Sequence, residues 1–313
     1  MRGKGLKREA KEGGGRSKKR IKIRWIRLLS QLTSFALFLL AMMGKAPLQP
    51  WLVLPVATPY GPFNVLQAML SAPTMPLLPI ASITLFTALL GRSPCGWVCP
   101  LGFIQDILSR VKREHAMISL ETHSWLKNLK YFLLGVTLMV SCSLALSLAH
   151  GVGGPYKRAL GAFSTAPYTT LSPESTIFIL IPESIRQLQL WMATSPTITP
   201  ERLWAILMQI PTILYIRLLI AAAFVIASIY VRRFWCLYVC PLGALTAILN
   251  RFSLLGMRRS ITKCARCPIC VKRCPMRVRI LNLPWEKFND PECTLCLDCI
   301  DACPNGALKP KFP

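Results

Sequence analysis

KCARCPICVKRCP (Lys263–Pro275) and ECTLCLDCIDACP (Glu292–Pro304) carry eight of the chain's 13 cysteines. Each segment reads C-x2-C-x2-C-x3-C-P. Three thiolates two residues apart wrap one cube of iron and sulfide, and the fourth, further along, closes a neighbouring cube. The proline then turns the chain away. The spacing therefore assigns Cys264, Cys267, Cys270 and Cys303 to one [4Fe–4S] cluster, and Cys293, Cys296, Cys299 and Cys274 to a second. Zinc would ask for two-plus-two spacing instead.

A tail of about 50 residues has too little apolar mass for a core of its own, so the clusters must hold its fold. The expectation is a small bacterial-ferredoxin-like α+β dicluster domain over 256–313, joined by a linker Gly256–Lys263. Arg266, Lys272 and Arg273 sit in the first motif, Asp298 and Asp301 in the second. Positive charge favours the reduced, more negative cluster, which predicts the higher potential for the first-motif cluster.

Outward from the tail the composition changes. Across all 313 residues the net charge is +25 and the mean hydropathy +0.43, yet only 16% of residues are charged. Soluble domains carry roughly a quarter. The basic residues are separated by long uncharged tracts, which excludes a plain soluble enzyme and a nucleic-acid-binding surface. Four apolar stretches suit transmembrane helices, at 28–44, 75–91, 131–149 and 211–231. Of 38 Lys and Arg, 32 fall in the segments before 28, between 92 and 130, and after 231. The positive-inside rule puts those segments, and both termini, in the cytoplasm of a bacterial or archaeal cell, with the chain multi-pass in the inner membrane. Residues 1–27 read as a basic cytoplasmic N-terminus on an uncleaved anchor. Disulfides in the tail are then improbable. The 51–70 segment contains Pro55, Pro59 and Pro62, which disfavour a fifth span and suggest a stretch against the outer interface, with Trp51, Tyr60 and Phe63 at headgroup level.

The membrane domain, 28–255, contains a repeat. CGWVCPLG (Cys95–Gly102) follows the second apolar stretch and CLYVCPLG (Cys236–Gly243) follows the fourth. This is an all-α four-helix bundle with a possible two-fold internal repeat. If Cys-x3-Cys lies on a helix, both sulfurs share one face; Cys95, Cys99, Cys236 and Cys240 then form either a second redox or metal site or a docking element. Cys142, alone in the third span, reads as a small apolar residue.

Twin Cys-x3-Cys-Pro motifs followed by two ferredoxin runs resemble the NapH/NosR family of membrane-bound ferredoxin-type proteins, with a NapH-like size and layout over residues 25–313. The resemblance implies a redox subunit of a quinol dehydrogenase complex, which takes electrons from quinol and passes them to a respiratory reductase, through a partner ferredoxin-type or cytochrome subunit. One departure is plain: NosR-like proteins carry a large periplasmic flavin-binding domain, and the 150–210 loop is too short for one.

Haem is excluded by the histidines, since His115, His123 and His150 include no pair within the spans and no C-x-x-C-H occurs. No nucleotide motif is present. Quinol oxidation also releases protons, for which His150, Glu183 and Glu201 are outer-side acceptor candidates, while Arg217, a charge inside the fourth span, is a functional candidate or snorkels to the outer headgroups. The 104–118 stretch has helical periodicity and suits the inner surface. Two other readings remain open at this stage: an assembly or maturation factor reducing a metal or thiol for a respiratory enzyme, and a structural anchor.

Overall fold

The computed structural model describes residues 23–42, 66–67, 77–112, 118–151, 153–164, 167–180, 182, 189 and 212–312. Three of its helices are long and apolar enough to cross a bilayer: α1 (Ile23–Met42), α5 (Leu120–Ala149) and α8 (Thr212–Tyr230). At 1.5 Å per residue, α1 and α8 each cover about 30 Å, the thickness of the hydrocarbon layer. α2 (Leu77–Leu90), where a fourth span was expected, has 14 described residues and falls short of that length.

Each Cys-x3-Cys-Pro motif forms two short helices, not one. α3 (Ser93–Trp97) precedes α4 (Pro100–Leu108), and α9 (Phe234–Tyr238) precedes α10 (Pro241–Asn250). The expected single helical face is thus broken between the cysteines. Proline disfavours helical backbone in the residue before it, and Cys99 and Cys240 are both extended, with ψ of 119° and 114°. Pro100 and Pro241 then open the next helix, where the missing N–H costs nothing. The glycine of each C-P-L-G is needed for packing. A Cβ on Gly102 would stand 2.9 Å from the Cys95 carbonyl oxygen, and one on Gly243 would stand 3.2 Å from that of Cys236.

The packing of the two halves is reciprocal: α1 lies on α4 as α5 lies on α10, and α2 lies on α10 as α8 lies on α4. α4 ends at Leu108, well short of the helix expected to 118, and buries Gln105 and Asp106 inside the bundle.

Between α5 and α8 the chain turns back into the bundle. α6 (Gly153–Leu160) packs along α5, and α7 (Pro167–Leu171) is followed by a turn at Pro173–Ser175 and a π-helical stretch, Thr176–Leu180. Trp235 Nε1 donates to Tyr168 Oη at 2.8 Å, which carries this supposed outer loop to the second motif. Leu66 and Gln67 are also buried there, and Gln67 Nε2 donates to Thr169 Oγ1 at 3.2 Å. Of the 51–70 segment, Leu66 and Gln67 are therefore in the core; residues 51–65 and 68–70, with Trp51, Tyr60 and Phe63 among them, lie outside the described residues.

Strand β1 (Gly256–Arg259) replaces the first half of the expected linker. It is the centre of an antiparallel sheet ordered β2-β1-β3, with β2 at Lys287–Phe288 and β3 at Leu308–Lys311. Two short helices, α11 (Ile269–Arg273) and α12 (Asp298–Ala302), pack on one another between the cysteine runs.

Candidate functional site: thiols at the junction of bundle and tail

The tail brings its cysteines together in the crossed sets read from spacing. Cys264, Cys267, Cys270 and Cys303 line one small cavity, and Cys274, Cys293, Cys296 and Cys299 line another beside Met257, Met276 and Phe288. The thiols surround a space and do not meet at a point: among the described residues no three His, Cys, Asp or Glu side chains converge on a single metal ion. That is the requirement of a multi-atom cluster, and the donor set fits one. The wrapping is local backbone chemistry. Arg266 and Leu295, each just before the second cysteine of its run, take left-handed φ of 51° and 47°. Non-glycine residues pay about 1 kcal/mol or more for this. Burial pushes the Cys293 thiol up to about 12 and Cys274 higher still, so thiolates at neutral pH need positive iron beside them.

The second run is docked on the first membrane motif. Trp97 Nε1 donates to the Leu295 carbonyl at 2.9 Å, and a Cβ on Gly96 would stand 2.6 Å from the Thr294 oxygen. From the second half, Asn250 Nδ2 donates to the carbonyls of Asp290 (2.7 Å) and Cys293 (3.3 Å).

Two arginines, each three residues before its motif, cross between the halves. Arg233 is fully buried and grips Asp106 through two bonds, Nε–Oδ1 at 2.9 Å and Nη2–Oδ2 at 2.7 Å. Its Nη1 and Nη2 also reach the carbonyls of Cys95 (3.3 Å) and Gly96 (3.4 Å). Arg92, equally buried, donates to Glu292 at 2.9 Å and to the Pro291 carbonyl at 2.8 Å. Its Nη2 lies 3.1 Å from where a Gly243 Cβ would be, inside the turn of the second motif. Lys130 shares Glu292 at 2.6 Å, and Arg27 meets Asp298 at 2.9 Å and the Cys296 carbonyl at 3.2 Å. Burial pushes the Asp106 carboxyl up, but Arg233, Arg27 and the Gln31 amide overcome it and hold it below the ordinary value. Glu292 is held down in the same way by Arg92 and Lys130. Asp298 is thus neutralised by Arg27, and Arg233 approaches Cys296, so the local-charge argument for a higher potential at the first-motif cluster no longer holds.

The four membrane thiols are buried together in this region. Gln105 Nε2 donates to Cys236 Sγ at 3.2 Å, and the Gly243 amide donates to Cys240 Sγ at 3.2 Å. Among the described residues Arg92 Nε and Nη2 are buried without a hydrogen-bond partner. Cys142 is exposed on α5, away from both groups.

The same model, described as a 4Fe-4S binding domain, matches residues 71–115 and again 213–262; another, a 4Fe-4S dicluster domain, matches 263–308. NapH of Haemophilus influenzae, a ferredoxin-type protein, is 24% identical over 265 residues, 82% of this chain and 75% of NapH. NosR of Pseudomonas aeruginosa, a regulatory protein, is 25% identical over 66% of this chain but only 22% of NosR. The chain is similar to the ferredoxin-type membrane proteins of the NapH/NosR kind. YccM of Escherichia coli is 23% identical over 73% of this chain, and the match spans about half (53%) of YccM. No solved structure matches. The dicluster model over 263–308 and the ferredoxin-type relatives both point to iron–sulfur binding by the tail.

Of the proton-acceptor candidates, His150 is exposed at the end of α5, while Glu183 and Glu201 lie outside the described residues; Arg217 is half-buried on α8. The sequence reading missed Glu174. It is buried in the returning loop with no ion pair or hydrogen bond to its carboxyl among the described residues. Nothing in its neighbourhood (TLSPEST) marks it in sequence. Burial pushes its carboxyl from 4.5 up to about 8. A raised acid contributes fully below the unfolded pKa and loses that contribution as pH climbs through this window, by about 1.4 kcal/mol per pH unit. Glu174→Gln should therefore come nearest the wild type in thermal unfolding at about pH 4, below the unfolded value, and become progressively the more stable of the two toward pH 8. Parallel curves would contradict the assignment.

Proposed function

We propose that this chain oxidises a membrane quinol and passes the electrons through two [4Fe–4S] clusters to a partner redox protein. Cys264, Cys267, Cys270 and Cys303 hold one cluster, and Cys274, Cys293, Cys296 and Cys299 hold the other. The clusters supply one-electron carriers; a quinol gives up two electrons, one to each, and two protons. The observation that carries the reading is the direct seat of the second cysteine run on the membrane motif, through Trp97 and Leu295. A cluster there stands next to the bilayer, where a lipid-soluble donor arrives.

An apolar cavity of about 260 Å³ adjoins the same place. It runs between α2 and α10, past Ile83, Phe86 and Leu242, and ends at Cys95 and Trp97. It is the natural seat for a quinol ring. The membrane cysteines act as a redox site between the two: the 4Fe-4S model matches both motif segments, and the unpartnered nitrogens of Arg92 suit a negatively charged centre. A four-span, two-fold-repeated bundle with both termini cytoplasmic agrees with the reciprocal packing and with the gathering of the α1 and α5 starts and the α2 and α8 ends at the tail.

The test is anaerobic protein with oxidised clusters, mixed with a short-chain quinol. The cluster absorption should bleach as it does with dithionite. Bleaching by dithionite but not by any quinol would overturn the proposal.

A further inference from the structure

Five basic side chains converge on one cavity with no acid left to meet them. The cavity, about 250 Å³, opens where the ends of α1, α4 and α8 reach the tail. Arg24, Arg110, Lys112, Arg232 and Arg273 line it, together with Arg27. Asp106 and Asp298 also line it, but Arg27 and Arg233 already hold them. Among the described residues none of those five cations forms an ion pair. Burial, then the neighbouring Arg273, pushes the Arg232 guanidinium below its ordinary value, as expected of a cation crowded by its own kind. Such a cluster is costly until an anion enters it.

The depth of the cavity identifies the anion. Arg24 is in the first turn of α1, and Arg232 lies two residues beyond the end of α8. At those same helix ends Trp25 and Tyr230 are exposed, and Lys112 Nζ lies 4.3 Å from the centre of the Tyr230 ring. Exposed Trp and Tyr mark the headgroup level of a bilayer. Trp25 and Leu29, one turn apart and each 65% exposed, continue from the cavity along α1 as a surface for an acyl chain.

We propose that this cavity holds the phosphate of an anionic phospholipid from the leaflet beside the tail domain. The lipid braces the tail against the membrane, because Arg273 belongs to the tail and Arg24, Arg110 and Arg232 to the bundle. It does so whatever the electron donor is.

The full chain with its clusters, stripped of lipid in a neutral detergent, is offered phosphatidylglycerol, phosphatidylcholine or inorganic phosphate, and bound lipid is read by native mass spectrometry alongside thermal unfolding. Phosphatidylglycerol should bind roughly tenfold more tightly than phosphatidylcholine and raise the unfolding temperature. Inorganic phosphate should not raise it. Arg110 and Lys112 are exposed, so the double variant Arg110→Gln/Lys112→Gln should keep its iron and lose most of the preference. Equal binding of the two lipids, an undiminished preference in the variant, or full stabilisation by inorganic phosphate alone would each overturn the proposal.

Discussion

Replacing Arg233 by methionine will destabilise the protein by about 3–5 kcal/mol, because it leaves the buried Asp106 carboxylate without its bidentate partner. The same change removes the bonds to the Cys95 and Gly96 carbonyls and to Thr294 Oγ1. It therefore loosens the seat of the second cysteine run as well as the first membrane motif. Thermal unfolding in detergent and protease sensitivity of the tail will report both losses. Adding Asp106→Leu should restore much of the stability, since replacing both members of a buried pair by apolar groups is often neutral. A single variant as stable as the wild type would show that Asp106 finds water or another partner, and that the crossed arginine is not what joins the halves.

Cys303→Ser will erase the cluster of the first run, not the cluster of its own. Cys303 lines the cavity with Cys264, Cys267 and Cys270, while its sequence neighbours Cys293, Cys296 and Cys299 face Cys274. Iron should fall by about four atoms per chain, and the EPR signal that survives should be the one lost in Cys293→Ser. The tail's apolar core, with Met257, Met276, Val278, Ile280, Phe288 and Leu308, is packed around the cysteines, so its unfolding temperature should drop too. Loss of the same signal in Cys303→Ser and Cys293→Ser would overturn the crossed assignment.

Much of this was legible in the chain. The eight tail cysteines announce their grouping because cluster ligation fixes spacing within a few residues. The Lys and Arg blocks sort the helix ends as the structure does: the starts of α1 and α5 and the ends of α2 and α8 all meet the tail domain. What escaped depends on contacts between distant residues. Asp106 looks like a surface charge on a basic helix until Arg233, 127 positions away, is seen to hold it. Pro55, Pro59 and Pro62 argue against a regular span, but they lie outside the described residues. They say nothing, however, of where the chain goes next, and Gln67 is fully buried against the returning loop. Glu174 was invisible because its significance is burial with no polar partner among the described residues. The Cys-x3-Cys helix was misread for a local reason. The backbone restriction imposed by Pro100 and Pro241 on the cysteine before them was already in the sequence and outweighs helical spacing.

Iron and acid-labile sulfide, counted per chain in anaerobically purified full-length protein, test the central claim most directly. Two cubes on eight tail thiolates require at least about eight of each, with a brown absorption that dithionite bleaches. A colourless protein, or one with about a single metal atom per chain, would contradict it.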